Sequence, residues 1–277
     1  MLSVALTPTV AAAGVQPVHP GFDYLALGDS VAFGYRPPAV TPPADYFDAD
    51  NFVGYPQDLA AARSLRLANA SCPGETTASM ITAGAQSNGC ENSVGSPVGY
   101  RSMFPLHVTY SGTQLAFAVD YLRSHPRTRL VTINIGANDL FVCQATTADR
   151  CTGADFPAAL QQISQNLTTI LTALRRTAHY HHNLAVLTYY SLNYADPVQV
   201  AGTTALNAAL TAVATQFGGL VADGFAAFLH ASQGFGGDPC AAGLLIALPG
   251  GGCNIHPSPL GHQILAAAVD DVIRSPH

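Results

Sequence analysis

Residues 130–139 read Leu-Val-Thr-Ile-Asn-Ile-Gly-Ala-Asn-Asp, and this stretch decides the fold class. Five of its first six residues are β-branched or apolar, and they lie on both faces, which is typical of a parallel strand that helices cover on both sides. The strand then stops at the polar sequence Gly136-Ala-Asn-Asp139. A buried strand that ends in a polar loop predicts functional residues at the carboxyl edge of a parallel sheet.

Strands and helices alternate along the rest of the chain. Short buried strands are predicted at 24–27, 65–70, 184–190 and 219–222. Helices are predicted at 55–63, 75–83, 156–176 and 203–217, after a capping box formed by Ser111 and Gln114, and after Ser258 with Pro259 as first residue. This alternation predicts a three-layer α/β/α sandwich with a central parallel sheet, similar to flavodoxin, in one domain over residues 21–277.

The first 20 residues form a separate segment. Met1–Val15 is apolar and rich in Ala, and Ala11–Ala13 could form a small-residue cleavage site. A positively charged leader is missing, so residues 1–20 are interpreted as a signal-peptide remnant or a disordered tail. No other apolar run reaches the roughly 20 residues that cross a membrane. Together with six Cys in a chain of only 10% charged residues, this predicts a secreted, extracellular protein.

The composition excludes several classes of function. The 277 residues contain no Lys, which removes a P-loop nucleotide site, a Schiff-base enzyme and a Ser-Lys nucleophile pair. Of the 17 acidic residues only Glu75 and Glu91 are Glu, which nearly excludes a paired-Glu glycosidase. The net charge is −6 and the 11 Arg residues form no cluster, so no nucleic-acid partner is expected.

Polar residues at the ends of the predicted strands could carry chemistry. Ser30 ends the loop after the first strand, Gly74 follows the second, Asn138 follows the third, and His256 precedes the last helix. Each residue alone is compatible with a structural role in a turn or cap. Together, and in this order, they supply a nucleophile, oxyanion donors and a base for acyl transfer.

In these residues the chain resembles the SGNH or GDSL hydrolases. The resemblance runs from about Asp23 to Ile273 and rests on Gly28-Asp-Ser30, Gly74, Gly136-Ala-Asn-Asp139 and His256. The sequence Cys72-Pro-Gly-Glu-Thr-Thr77 is similar, more narrowly, to secreted lipases and esterases of Streptomyces and related actinobacteria. No G-x-S-x-G motif occurs, which argues against an α/β-hydrolase.

The resemblance implies a carboxylic ester hydrolase with defined roles for these residues. Ser30 would attack the ester carbonyl, and His256 would accept its proton and return it to the leaving alcohol. The N–H groups of Ser30 and Gly74 and the Asn138 amide would form the oxyanion hole. With neutral His256 as the base, activity is expected to rise with pH through about 6.5. No metal and no organic cofactor are expected.

The expected substrate is an acyl ester of a lipid, and the enzyme is expected to be a monomer. Phe33, Tyr35 and the aromatic residues between Tyr46 and Tyr55 follow the nucleophile, so they either line an acyl groove or pin a long loop to the core. Two alternatives remain open. One is a carbohydrate or acetyl esterase, or a phospholipase, with the same site. The other is a catalytically silent binding protein on the same fold.

The sequence departs from the family pattern beside His256. The family has Asp three residues before this His, but here Cys253 occupies that position. A main-chain carbonyl near Cys253 is the favoured acceptor for the imidazole proton, and Asp238 is the alternative.

The six Cys residues are expected to pair sequentially, although 15 connectivities are possible. The expected pairs, each closing a short loop, are Cys72–Cys90, Cys143–Cys151 and Cys240–Cys253. A metal site is not expected, because no C-x-x-C occurs and His179, His181 and His182 are interpreted as a solvated helix end.

Overall fold

The computed structural model of the protein describes residues 15–274. Its strands are β1 (Asp23–Gly28), β2 (Arg66–Asn69), β3 (Thr128–Asn134), β4 (Asn183–Leu187), β5 (Leu220–Ala222), β6 (Leu245–Ala247) and β7 (Cys253–Pro257). Its α-helices are α1 (Ser30–Phe33), α2 (Tyr55–Arg63), α3 (Thr77–Ile81), α4 (Tyr100–Met103), α5 (Gln114–Ser124), α6 (Ala137–Thr146), α7 (Asp155–Thr172), α8 (Pro197–Gln216), α9 (Gly224–Ser232) and α10 (Pro259–Arg274).

The central sheet has the strand order β2-β1-β3-β4-β5, and all of its strands are parallel. Helices α2, α9 and α10 pack together on one side, and α3, α5, α7 and α8 on the other. The predicted α/β sandwich with a central parallel sheet is therefore confirmed. The chain leaves β1 toward β2 and returns to β3 on the opposite side of β1. In such sheets the crevice at the carboxyl ends of the two strands that flank this reversal is where ligands bind.

The two core strands are buried on both faces, as their sequences predict. Leu25 and Ala26 on β1 and Leu130, Val131 and Ile133 on β3 have no exposed surface. Helices therefore cover both faces of the sheet, and only the strand ends remain for a site. Within residues 15–274, no helix combines the length and apolar character needed to span a bilayer.

The helix before β3 begins differently from the prediction. The N-cap is Thr113, whose Oγ1 accepts a hydrogen bond from the Ala116 N–H at 3.1 Å, so the predicted capping box of Ser111 and Gln114 is wrong. The Gln114 side chain is instead fully buried and binds the main chain of Gly28. A local capping pattern cannot predict this contact, because its partner lies 86 residues away.

Helix boundaries at the carboxyl edge of the sheet also differ from the prediction. The polar sequence after β3 begins α6, which the sequence interpretation treats as a loop. Helix α8 starts six residues before the expected Thr203, because Asp196 caps the N–H groups of Val198 and Gln199 and Pro197 is the first helical residue. Both differences place helical turns next to the crevice.

The N-terminal segment is described only in part. Residues 1–14, including the expected cleavage site at Ala11–Ala13, lie outside the described residues. Gln16 binds the start of β4 through both main-chain groups: its N–H donates to Asn183 Oδ1 at 3.1 Å, and its carbonyl accepts from Asn183 Nδ2 at 2.7 Å. Contacts with the domain therefore begin before the expected boundary at residue 21.

The six Cys residues form three disulfide bonds. They join Cys72 to Cys90, Cys143 to Cys151 and Cys240 to Cys253, which is the sequential pairing that the sequence analysis expects. The first bond ties together two loops near the carboxyl end of β2, and the third ties the start of β7 to the segment that follows α9.

Candidate active site

Ser30 lies in a constrained turn directly after β1. Gly28 has a φ of +137°, and a Cβ there would lie 2.2 Å from the Asn134 carbonyl oxygen, so the turn requires glycine. The Asp29 carboxyl caps α1 by accepting a hydrogen bond from the Val31 N–H at 2.9 Å. Ser30 is thereby held as the first residue of α1, at the carboxyl edge of the sheet.

His256 approaches Ser30 from β7. Its Nε2 lies 2.9 Å from Ser30 Oγ. The Oδ1 atom of Asn254 accepts two hydrogen bonds from His256, one from the main-chain N–H at 3.1 Å and one from Nδ1 at 2.5 Å. Because the main-chain N–H can only donate, the Asn254 atom that faces it must be the oxygen, and Nδ1 must then carry the imidazole proton. The Nε2 lone pair is left to accept the hydroxyl proton of Ser30.

The acceptor of the Nδ1 proton differs from both sequence expectations. It is neither a main-chain carbonyl near Cys253 nor Asp238, but the side-chain oxygen of Asn254. The Asp238 carboxylate instead accepts hydrogen bonds from N–H groups of the turn that follows it. An Asn side chain that folds back onto the N–H two residues on forms an Asx turn, which here brings its oxygen to the imidazole. The pattern Asn-x-His is the sequence signal that could have identified this residue.

Asn138, the second residue of α6, lies at the same cleft. Its Nδ2 donates to Asp29 Oδ2 at 3.3 Å, and its Oδ1 accepts from Asn88 Nδ2 at 2.8 Å. These two contacts fix the plane and orientation of the Asn138 amide. Because Nδ2 carries two hydrogens, the second can serve a ligand in the cleft that Asn138 lines together with Ser30.

Gly74 lines this cleft as well, in a tight turn after β2. Its φ is +82°, and a Cβ would lie 2.5 Å from the Asn88 carbonyl oxygen. Its own carbonyl accepts a hydrogen bond from the Asn88 N–H at 2.8 Å. The disulfide between Cys72 and Cys90 joins the two segments that meet here. All four sequence-predicted residues, Ser30, Gly74, Asn138 and His256, therefore line one cleft.

Asp29 is a buried carboxyl group behind the site, to which the sequence analysis assigned no role. It accepts a hydrogen bond from the Tyr189 hydroxyl at 2.5 Å, in addition to those from Val31 and Asn138. Burial raises the pKa of Asp29 to about 7, although these hydrogen bonds oppose the shift. Tyr189 lies two residues after β4 but inside the predicted strand at 184–190, so the rule for polar groups at strand ends does not identify it from the sequence.

A second buried carboxyl group, that of Glu75, is linked to the turn through Gln114. Gln114 accepts a hydrogen bond from the Gly28 N–H at 2.6 Å and donates to the Gly28 carbonyl at 3.0 Å and to Glu75 Oε2 at 3.1 Å. Burial raises the pKa of Glu75 to about 7. The side chain of Gln114 thus holds both main-chain groups of Gly28, on which the turn before Ser30 depends.

The imidazole of His256 is neutral at physiological pH. Burial lowers its pKa to about 4. His262 on α10 is buried as well, and burial, with a smaller effect of His256, lowers its pKa to about 3. A neutral imidazole that already accepts from the Ser30 hydroxyl has the protonation state of a general base.

The described residues include one group of potential metal ligands, Cys72, Glu75 and Cys90. Both cysteines are in a disulfide bond, so their sulfurs cannot act as thiolate ligands. His179, His181 and His182 follow helix α7 in the chain. Both ring nitrogens of His182 have partners: Nε2 lies 2.8 Å from Arg129 Nη1, and Nδ1 contacts Gln16 Oε1.

The cleft has a volume of about 1530 Å³ and mostly apolar walls. Tyr35, Tyr46 and Phe47 line it, and the Tyr35 ring lies 5.0 Å from the His256 ring. Phe33, Phe52 and Tyr55 are fully buried: Phe33 and Phe52 pack with Tyr100 in a small cluster, and Tyr55 belongs to the main core. Some of the aromatic residues after Ser30 therefore line the cleft, and others are packed in the interior. Leu140 and Leu206 add an aliphatic wall to the cleft.

The chain is similar in sequence to a known protein family and in structure to several solved proteins. The model of the GDSL-like lipase/acylhydrolase family matches residues 26–264. No curated protein matches the chain significantly. A lipase from a goat rumen metagenome is similar in structure, with a TM-score of 0.57, 15% identity and coverage of 91% of this chain and 97% of that one. A catalytic mutant of an acetylxylan esterase from Geobacillus stearothermophilus has a TM-score of 0.56 and 17% identity, with coverage of 93% and 96%.

Proposed function

The chain belongs to the GDSL-like lipase/acylhydrolase family and is a carboxylic ester hydrolase, and from this premise we propose that it cleaves acyl esters of lipids through a Ser30–His256 acyl-enzyme mechanism. The observation that carries the proposal is the hydrogen bond of 2.9 Å between Ser30 Oγ and His256 Nε2 at the floor of an apolar cleft.

The first half of the reaction is attack by Ser30. His256 Nε2 removes the hydroxyl proton as Oγ adds to the ester carbonyl, and the imidazolium then protonates the leaving alcohol. Asn254 is a positioning residue, since its oxygen keeps the proton on Nδ1 and turns the Nε2 lone pair toward Ser30. Water, activated by the same imidazole, hydrolyses the acyl-enzyme in the second half.

The negative oxygen of the tetrahedral intermediate is bound at the opposite side of the site. The N–H groups of Ser30 and Gly74 and the Nδ2 of Asn138 are the donors that we assign to it. Each such donor typically contributes about 10²- to 10³-fold in rate. The contacts of Asn138 with Asp29 and Asn88 orient its amide before the substrate binds.

The apolar cleft supports lipid esters as the substrate class. A volume of about 1530 Å³ is larger than a small acyl group needs, and aromatic rings lie directly beside His256. A carbohydrate or acetyl esterase is the second candidate, favoured by the acetylxylan esterase among the structural neighbours.

A panel of p-nitrophenyl esters from acetyl to palmitoyl separates the two substrate classes. We expect kcat/KM to be highest for octanoyl or longer chains, because each buried methylene adds about 0.8 kcal/mol of apolar transfer free energy. A maximum at the acetyl ester, decreasing steadily with chain length, would assign the enzyme to the acetyl esterases.

We also propose that the protein is exported and acts as a monomer. Three disulfide bonds support export, because such bonds persist in oxidising compartments. Sedimentation of the purified protein tests the oligomeric state, and its localisation in culture supernatant tests the export.

The pH dependence of activity is expected to follow the lowered pKa of His256. Only neutral His256 accepts a proton, so activity is present above its pKa and is lost as the pH falls through it. Because burial lowers this pKa to about 4, the acid limb of kcat/KM lies well below the value of about 6.5 expected from an exposed imidazole. Initial rates on a soluble ester between about pH 3.5 and 8, with circular dichroism to exclude unfolding, measure it. A midpoint at 6.5 or above contradicts the expectation.

Asp29→Asn is expected to lower kcat about tenfold with little change in KM. The substitution changes the hydrogen bond that orients Asn138, one of the proposed oxyanion donors. An amide NH₂ in place of Oδ2 would face the NH₂ of Asn138, and two donors cannot pair. Asp45→Asn is the matched control, since Asp45 also lines the cleft but its carboxylate binds the Phe47 N–H. Equal rates for the Asp29 variant and wild type would show that Asp29 does not orient Asn138.

A further inference from the structure

Large exposed apolar side chains are concentrated around the cleft. Among the described residues, most of the large hydrophobic side chains with substantial exposure line this cleft. Phe47 and Val198 are the extreme cases, 74% and 79% exposed. Large apolar groups that remain this exposed in one patch mark an interaction surface rather than a part of the core.

These side chains surround the opening from several directions. Phe47 lies in the loop between α1 and α2, Met103 ends α4, and Phe141 is on α6. The remaining members come from the segment leading into α8, from α8 itself and from β7. We call six of these side chains the apolar rim: Phe47, Met103, Phe141, Leu192, Val198 and Ile255.

The charge of the cleft is low compared with that of the whole chain. Apart from Asp29 and His256 at the catalytic floor, its charged residues are one acid, Asp45, and one base, Arg150. The chain as a whole carries a net charge of −6. The lining of the cleft is therefore nearly neutral, and Asp48 and Asp196, which lie beside Phe47 and Val198 in the chain, add only negative charge, which favours an uncharged or zwitterionic partner over an anionic one.

We propose that the apolar rim docks onto a neutral or zwitterionic lipid–water interface and that Ser30 receives its ester substrate directly from that interface. The proposal rests on the proposed function, because the rim surrounds the entrance for the substrate. A protein partner or a second copy of the chain seated on the rim would close the entrance. A lipid aggregate covers the rim and supplies the substrate in the same contact, and burial of the rim in the interface provides the affinity.

Vesicle co-sedimentation with a non-hydrolysable lipid tests this docking. The probe is a vesicle of ether-linked dialkyl phosphocholine, which the enzyme cannot cleave. Wild type is expected to bind, and the double variant Phe47→Ser with Val198→Ser is expected to bind at least about tenfold more weakly, since two apolar contacts with the interface are lost. Phe235→Ser is the matched control, because Phe235 is 54% exposed but does not line the cleft.

Turnover of a soluble butyrate ester, measured in parallel, separates docking from chemistry. Any loss of butyrate turnover in the double variant is expected to be smaller than its loss of vesicle binding, because Phe47 and Val198 are 74% and 79% exposed at the outer edge of the cleft. Binding is also expected to change less than about twofold between low and high salt, and not to increase with anionic lipid.

The proposal is overturned if wild type hydrolyses butyrate but does not bind vesicles, or if Phe235→Ser weakens binding equally. Dimers in lipid-free solution that the double variant dissociates would overturn it in favour of a second copy. Vesicle binding without any ester hydrolysis would instead overturn the proposed function.

Discussion

Ser30→Ala is expected to abolish ester hydrolysis, lowering kcat by at least about 10⁴-fold. Without the hydroxyl no acyl-enzyme can form, and only the weak catalysis of an oxyanion hole acting on water remains. The fold is expected to be unchanged, because the carbonyl of residue 30, which accepts hydrogen bonds from the Gly34 and Tyr35 N–H groups, is retained. Turnover of a soluble ester and the melting temperature are the two measurements.

Ser93→Ala is the matched control for this variant, since Ser93 also lines the cleft but is not paired with His256. A fluorophosphonate probe adds a test of the nucleophile itself. It is expected to label wild type and the Ser93 variant and to leave Ser30→Ala unlabelled, because only an activated serine reacts. An unlabelled wild type would favour a binding protein on this fold, and wild-type turnover by Ser30→Ala would assign the nucleophile to another residue.

Asn254→Leu is expected to lower kcat about 10²-fold with little change in KM. Leu fills a similar volume but offers no acceptor, so the imidazole loses both its orientation and the preference for a proton on Nδ1. The loss is smaller than the roughly 10⁴-fold of a serine-protease triad whose Asp becomes Asn, because Leu does not enforce the wrong tautomer. Asp238→Asn is expected to cost less than about twofold, since Asn can still accept the main-chain hydrogen bonds of its turn.

Asn254→Asp distinguishes a positioning role from a purely structural one. A carboxylate accepts the same two hydrogen bonds, so activity is expected to stay within about tenfold of wild type. Its negative charge beside the imidazole favours the charged ring, and the acid limb of the pH profile is expected to move to higher pH. A large loss in Asp238→Asn together with an unaffected Asn254→Leu would return the role to the carboxylate.

Much of the architecture can be predicted from local sequence patterns. The strand at 130–135 and the helix that begins at Pro259 follow from side-chain patterns within a few residues, and the structure has both, with strand limits shifted by one or two residues. Local patterns failed where a side chain had a distant partner. The sequence pattern assigns Gln114 to a capping box, but its side-chain amide binds Gly28 and Glu75 instead.

The sequence by itself determined the chemical groups of this protein and their order along the chain: Ser30, Gly74, Asn138 and His256, each next to a predicted strand or helix. The rule that parallel strands end at one edge of a sheet was enough to bring the first three together.

Only the tertiary structure decided what holds these groups in place. Asp29 meets Tyr189 across 160 residues, Asn254 rather than an acid orients His256, and exposed apolar side chains from separate segments surround one opening. The physical reason is that hydrogen-bond partners and burial depend on which segments pack together, which no local periodicity specifies.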